Sequence, residues 1–236
     1  MLARWSAGIG FVAVASLLAG PLLSSTRVLS PLGGLGIAAV GGALGILGLL
    51  ISIIAAFRGG IAAAVPGLAL GALVAIPSIV FVLRASRYPP INDISTDTAS
   101  PPEFTRAPAL PENHGRSFTY PGDSVSRRQR AAYPEIQPLF LDLPPLDAFA
   151  LVESTAEAKP DWQITFVDRE MLILEGVAET SLFRFRDDFI IQVRPVRGGS
   201  LVQMRSRSRE GKGDLGVNAQ RIRDFLAELK QQSPSR

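Results

Sequence analysis

The chain has 236 residues, no cysteine and a formal net charge of +3, and its length suits one or two domains. The three excess positive charges are Arg4, Arg27 and Arg58, because the region from Arg84 onward holds 21 basic and all 21 acidic residues. The excess charge therefore gives no indication of nucleic-acid binding, and a chain without cysteine has neither disulfides nor thiolate chemistry.

The first part of the chain is uncharged apart from single arginines. Between Arg4 and Arg84 the only charged residues are Arg27 and Arg58, and each uncharged interval exceeds the roughly 18–20 residues that cross a bilayer. A cleaved signal peptide is the alternative for the first interval, but two further apolar segments follow it directly. The predicted transmembrane helices lie near 6–25, 31–56 and 60–83.

Small residues recur at four-residue spacing in the second and third predicted spans. They are Gly34, Ala38 and Gly42, then Ala63, Gly67, Gly71 and Ala75. Such rows let helix backbones approach closely in lipid, so they favour packing within the bundle, with homo-oligomerisation as the alternative. No ionisable residue lies inside a span, which favours an anchor over a channel.

A proline-rich segment separates the predicted anchor, residues 1–87, from the predicted soluble domain, residues 133–236. Eleven prolines occur between Tyr88 and Pro145, a density that disfavours helices and central strands. We therefore predict that residues 88–132 form a linker. A spacer is the simplest interpretation, but the Asp-Ile-Ser-Thr run and Phe104 indicate a segment that lies across a folded surface.

The soluble domain is predicted to be α+β. Asp147 is expected to cap an amphipathic helix, DAFALVESTAEA, and a second helix is expected at about 215–231. Between them, WQITFVD, MLILEGVAE, SLFRFRDDFIIQVRPV and LVQMRSRS predict four strands. The expected architecture is a two-layer sandwich, with a four-stranded antiparallel sheet and two helices on one face.

Five arginines are predicted to share the sheet face that the helices leave open, with Asp188 and Glu175 among them. They are the candidate ligand-binding residues Arg184, Arg186, Arg194, Arg205 and Arg207. Three interpretations stay open: a solvated face with cross-strand ion pairs, a site for a lipid headgroup, phosphate or acidic partner, or a surface that binds the proline-rich segment.

Three further features bear on chemistry. The GKGD sequence at 211–214 lacks the Ser or Thr of a phosphate-binding loop, so we predict a turn in which Asp214 caps the last helix. The single histidine, His114, has no Cys or His neighbours in the sequence, which argues against a zinc-type site. Asp187 and Asp188 are weak catalytic candidates, since adjacent strand residues point to opposite faces.

The C-terminal part resembles the bacterial domain-of-unknown-function family 1499. The residues that carry this resemblance are Phe185, Asp187 and Asp188, then Arg205, Ser206, Ser208, Arg209, Gly211, Asp214, Gly216, Asn218, Arg221 and Ile222, with the ISTD run at 94–97. Asp214, Asn218 and Arg221 are the motif residues for which we expect a structural role. The resemblance covers roughly residues 89–230 and implies an extracytoplasmic domain without an established activity.

The sequence therefore predicts a multi-pass bacterial inner-membrane protein whose soluble domain is periplasmic. Its expected partners are the lipid bilayer, an anionic lipid headgroup or a membrane protein; nucleic acid, metal and cofactor are not expected. A non-enzymatic binding role is favoured. The alternatives are an enzyme that modifies envelope lipid or glycan, and an accessory subunit of a membrane complex.

Overall fold

The computed structural model describes residues 1–233, and the chain divides into two compact units. The first comprises residues 1–87 together with 181–184. Of the described residues, the second comprises 88–180 and 185–233. The segment predicted as a linker thus belongs to the same unit as the sheet.

Three helices form the first unit: α1 (Leu2–Ser25), α2 (Pro31–Gly59) and α3 (Ile61–Ala85). Each is long and apolar enough to cross a membrane, as predicted. The start of α2 follows from its sequence, because the Ser30 side chain accepts a hydrogen bond from the Gly33 N–H at 3.1 Å and Pro31 occupies the first turn.

Glycines bring the three helices into backbone contact. A Cβ atom on Gly20 would lie 2.3 Å from the Gly34 carbonyl oxygen, and one on Gly71 would lie 2.7 Å from the Leu49 nitrogen. The small residues therefore pack helices within the unit, which is the first of the two roles that their spacing allowed.

The second unit contains a six-stranded antiparallel sheet rather than the four strands predicted. Its strands are β1 (Asp93–Ser95), β2 (Leu139–Leu141), β3 (Trp162–Asp168), β4 (Ile173–Glu179), β5 (Arg186–Val196) and β6 (Gly199–Ser208). The order is β1-β6-β5-β4-β3, and β2 also pairs with β6. The two unpredicted strands have three residues each, too few to show an alternating pattern.

The helices of this unit are α4 (Asp123–Ala132), α5 (Pro145–Glu157) and α6 (Val217–Gln232). Helix α4 lies where proline density had predicted no regular structure, in a stretch that itself lacks proline. Asp147 lies in the first turn of α5 and is not its N-cap, because the N-cap is Pro144 and the helix starts at Pro145, three residues earlier than expected.

One sheet face packs against α5 and α6. The apolar cluster there includes Phe149 and Val152 from α5, and Ile222, Phe225 and Leu229 from α6. On β3, Trp162 packs against the rings of Phe189 and Phe225, at centroid distances of 4.2 and 5.1 Å. This is the main hydrophobic core of the domain.

The opposite face holds a smaller apolar cluster. Phe104 and Ala107 pack there against Ile173 of β4 and Ile190 of β5, with Phe118 at the margin. Residues 102–118 therefore cover part of the sheet, which agrees with the interpretation that the proline-rich segment lies across a folded surface. We call residues 97–120 the covering segment.

Candidate functional site: the arginine-bearing face of the sheet

Arg205 forms a buried ion pair at the centre of the arginine-bearing face. Its Nε and Nη2 groups each donate to one carboxylate oxygen of Asp93 at 2.8 Å. Strands β1 and β6 are neighbours in the sheet, which places the two side chains together. Arg205 is 1% exposed and Asp93 2%, so the pair combines two-point geometry with almost complete burial.

The covering segment satisfies the rest of the Arg205 guanidinium. Its Nη1 donates to the Pro102 carbonyl at 3.2 Å and its Nη2 to the Phe118 carbonyl at 3.0 Å. The Phe104 and Tyr120 rings lie 5.2 and 5.3 Å from the guanidinium carbon, close enough for cation–π attraction. Arg205 therefore binds the protein's own covering segment.

Arg207 lies at the margin of the covered region. Its guanidinium donates to the Ser117 carbonyl and lies 4.6 Å from the centroid of the Phe118 ring. Its Nε is 3.9 Å from an Asp93 oxygen, and 20% of its side chain is exposed. Unlike Arg205, Arg207 keeps part of its side chain in contact with solvent.

The environment of Arg207 disfavours the charged form of its side chain. Burial lowers the pKa of Arg207, and the neighbouring cations Arg205 and Arg116 lower it further. The carboxylates of Asp93 and Asp188 oppose this change. Burial is thus the main cause that disfavours the charged form of Arg207, and the two carboxylates offset part of it.

Arg209 extends the arginine row past the end of β6. It donates to both carboxylate oxygens of Asp188, at 2.6–3.1 Å, and its Nη1 lies 3.5 Å from Glu112. Asn113 also donates to Asp188, at 3.3 Å, and Arg116 donates to the Arg209 carbonyl. The covering segment and the end of β6 thus share one polar cluster.

Glu175 lies on the same face, opposite Ile190 of β5, but it does not bind an arginine side chain. Its carboxylate accepts from the N–H groups of Thr105, Arg106 and Ala107, the last at 2.7 Å, and from the Thr105 hydroxyl at 2.7 Å. Three backbone donors at the start of a 3₁₀ turn compensate this fully buried charge.

The other three predicted arginines do not join Arg205. Arg184 belongs to the short segment 181–184, with a φ of +60°. Arg186 starts β5, where its Nε lies 3.3 Å from Glu179 and 38% of its side chain is exposed. Arg194 is exposed near the β5–β6 turn, opposite Leu201. The five arginines are therefore spread over the face and beyond it.

Asp187 points to the helix-bearing face, as its position next to Asp188 predicted. Its Oδ2 accepts from Arg221 of α6 at 2.6 Å. The same arginine donates to the Ser206 hydroxyl at 2.9 Å and to Asn218 Oδ1 at 2.6 Å. These contacts join β5, β6 and α6 through side chains of the family motif.

Asn218 and Asp214 continue this network to the start of α6. Asn218 Nδ2 donates to the Ser208 hydroxyl at 2.9 Å. The Asp214 oxygens accept from the N–H groups of Gly216 and Asn218, at 2.9 and 2.8 Å. Asp214 thus accepts hydrogen bonds at the start of α6, although the N-cap residue of that helix is Gly216. Burial raises the pKa of Asp214. The motif holds the β6–α6 connection together.

The arrangement offers little for acid–base chemistry. Asp187 and Asp188 each lie in a buried ion pair, with Arg221 and Arg209. Within residues 1–233, no three His, Cys, Asp or Glu side chains are grouped as metal ligands.

Sequence reasoning missed Asp93 as the partner of Arg205. The available signal was its position, directly before the ISTD run.

A family model described as "Protein of unknown function (DUF1499)" matches residues 93–229, more than half of the chain. No curated protein matches the chain. The matched region starts at Asp93 and ends at Leu229 in α6, so it contains both the covered arginine face and the network around Asn218. The chain therefore belongs to the DUF1499 family.

Proposed function

We propose that this protein is a bacterial inner-membrane binding protein, in which three helices anchor an extracytoplasmic domain that recognises an anionic group. The observation that carries this proposal is the position of Arg207. Its side chain is 20% exposed, and its contact with Asp93, at 3.9 Å, is to a carboxylate that Arg205 already binds at two points. A phosphate or carboxylate at this margin would give Arg207 a closer partner of its own.

The binding region we propose is the margin where the covering segment meets the ends of β5 and β6. Arg116 and Arg209 lie there together with Arg207, and the Arg209 N–H donates to the Arg186 carbonyl at 3.0 Å. The side chains of Arg186 and Arg207 are 38% and 20% exposed, against 4% for Arg209. Arg205 lies behind them as an internal support.

Binding is favoured over catalysis because both candidate carboxylates are already paired. Asp187 accepts a hydrogen bond from Arg221 and Asp188 accepts several from Arg209, so both carboxylates are engaged within the domain. Asp187 and Asp188 also face opposite sides of the sheet, so they cannot act on one substrate together.

Arg186→Gln tests the proposed margin, with Arg194→Gln as its matched control. Both arginines lie on β5 with side chains on the same face, but Arg194 is near the other end of the strand. We expect Arg186→Gln to weaken binding of inorganic phosphate roughly tenfold and Arg194→Gln to leave it unchanged.

Calorimetric titration of the full chain in zwitterionic nanodiscs measures this difference. Equal losses of phosphate affinity in the two variants would show that net charge, and not the position of Arg186, determines binding. A wild-type chain that binds neither phosphate nor a phosphate monoester would refute the proposal.

The extracytoplasmic location has its own test, because the chain contains no cysteine. Three spans place the α2–α3 connection and the sheet domain on opposite sides of the membrane. We expect Lys212→Cys to react with a membrane-impermeant maleimide in intact cells and Gly59→Cys to react only after lysis. The reverse pattern would place the domain in the cytoplasm.

A further inference from the structure

The helical unit contains a crevice between α1 and α2 with a volume of about 550 Å³. This volume falls within the ~300–1,000 Å³ typical of ligand sites. Most of its walls are apolar, and the charged and indole side chains lie near the beginning of α1. The lining residues are Arg4, Trp5, Gly8, Ile9, Val12 and Leu44.

Gly8 keeps the crevice open. It is exposed, and nothing lies within 4 Å of the position that a Cβ atom on it would take. Gly10, two residues later, shows the opposite situation, since its Cβ would lie 2.7 Å from the Leu70 Cβ. Gly10 serves packing within the bundle, whereas the space beside Gly8 is filled by no part of the described chain.

Arg4 and Trp5 define the chemistry at one end of the crevice. Both are exposed, Trp5 by 64%, and they begin an apolar helix of 24 residues. Tryptophan and arginine at the end of a membrane span lie at the level of the lipid headgroups. The site therefore combines an apolar groove with a cation at its polar end.

We propose that this crevice binds an anionic phospholipid, with an acyl chain along Gly8 and Val12 and the phosphate on Arg4. Charge complementarity favours this occupant over a second copy of the bundle. The chain has no acidic residue before Asp93, so the helices of another copy offer no counter-charge to Arg4. A symmetric contact at this crevice would also bring two Arg4 side chains together.

The experiment uses Trp5 as the reporter in the full chain. The other tryptophan, Trp162, packs against Phe189 and Phe225 in the sheet domain, and a Trp5→Phe variant measures its constant contribution. The chain is placed in phosphatidylcholine nanodiscs that contain an increasing fraction of one brominated lipid, either phosphatidylglycerol or phosphatidylcholine. We expect brominated phosphatidylglycerol to quench Trp5 at a lower fraction than brominated phosphatidylcholine does.

Two variants test the two halves of the site, each with a control. Arg4→Gln should reduce the preference for phosphatidylglycerol about fivefold, while Arg58→Gln, at the end of α2, should not. Gly8→Val should fill the crevice and reduce quenching by both lipids. Gly36→Val, at another exposed glycine with no atom within 4 Å of its Cβ position, should not.

Equal quenching by the two lipids in the wild-type chain would overturn the proposal, as would an Arg4→Gln variant that keeps the full preference. A Trp5 shielded from both lipids in a dimeric chain would assign the crevice to a second copy. None of these results concerns Arg207, so they leave the proposed anion-binding margin of the sheet domain untouched.

Discussion

Both faces of the sheet are covered, but by opposite means. On one face, α5 and α6 bury an apolar cluster that includes Phe225 and Leu229. On the other, the covering segment is held by hydrogen bonds from Arg205, which is itself paired with Asp93, by its backbone donors to Glu175 and by a few apolar side chains. Packing stabilises the first face, and compensated charge stabilises the second.

This difference means that the two faces should fail differently. An apolar face loses stability in proportion to the volume that a substitution removes, because the surroundings relax only partly. A buried ion pair contributes little over an apolar pair of similar shape, yet removal of one partner is costly because the other charge stays buried alone.

The largest expected effect is that of Arg205→Met. The substitution keeps an unbranched side chain but leaves the buried Asp93 carboxylate without its partner, so we expect a loss of about 3–5 kcal/mol in the free energy of unfolding. Urea denaturation of the full chain in detergent measures it. The fluorescence of Trp162 reports the sheet domain in a Trp5→Phe background.

The double variant Asp93→Leu/Arg205→Met is the control for this loss. If the cost of Arg205→Met comes from the unpaired carboxylate, the double variant should be more stable than the single one. A double variant as unstable as Arg205→Met would show that the arginine contributes mainly through Pro102, Phe118 and the aromatic rings around it.

On the helix-bearing face, Leu229→Ala should cost about 2–4 kcal/mol. Leu229 is fully buried in the main core, and the substitution leaves a cavity between α6 and the sheet. Unlike the loss at Arg205, this loss should not be restored by removing a partner charge, because Leu229 has none. Leu226→Ala, at a partly buried position of the same helix, is the matched control and should cost less.

The two faces were also unequally predictable from the sequence. The apolar positions of α6 and the alternation along β5 predicted the helix-bearing face, because local periodicity records which side chains are buried. The other face depends on Asp93 and Arg205, which are 112 residues apart. Only the fold brings such a pair together, so alternation placed Arg205 on the right face but left open whether its side chain meets solvent, a ligand or the proline-rich segment.

The binding of Glu175 was hidden for a related reason. Its partners are backbone N–H groups of residues 105–107, which every non-proline residue has, so no residue type in the sequence marks them.

Glu175→Gln should cost about 1–3 kcal/mol of folding stability, since the amide weakens the charge-assisted bonds and adds donors in a buried site. Glu170→Gln, at an exposed turn position, is the control for denaturation measurements.

The smallest expected effect at neutral pH is that of substituting two buried tyrosines, whose titration at alkaline pH distinguishes the two faces. Burial raises the pKa of Tyr120, beside Asp93, and of Tyr133, near Asp214, each to about 12. A phenol is neutral below its ordinary value of about 10, so its contribution to stability is fully present there. The contribution is lost as the pH rises through about 12 in the folded chain.

Tyr120→Phe and Tyr133→Phe should each reduce the loss of stability at alkaline pH. Of the two residues, only Tyr120 contacts the covered face of the sheet. Among the described residues, the buried Tyr133 hydroxyl has no hydrogen-bond partner, so Tyr133→Phe should keep full stability at neutral pH. Tyr120 lies 3.3 Å from Gln129 Oε1, and its replacement should cost slightly more. Denaturation curves recorded between neutral pH and the folded pKa of these two tyrosines, about 12, measure the effects of both substitutions. A loss of stability that persists in the double variant would assign it to other groups.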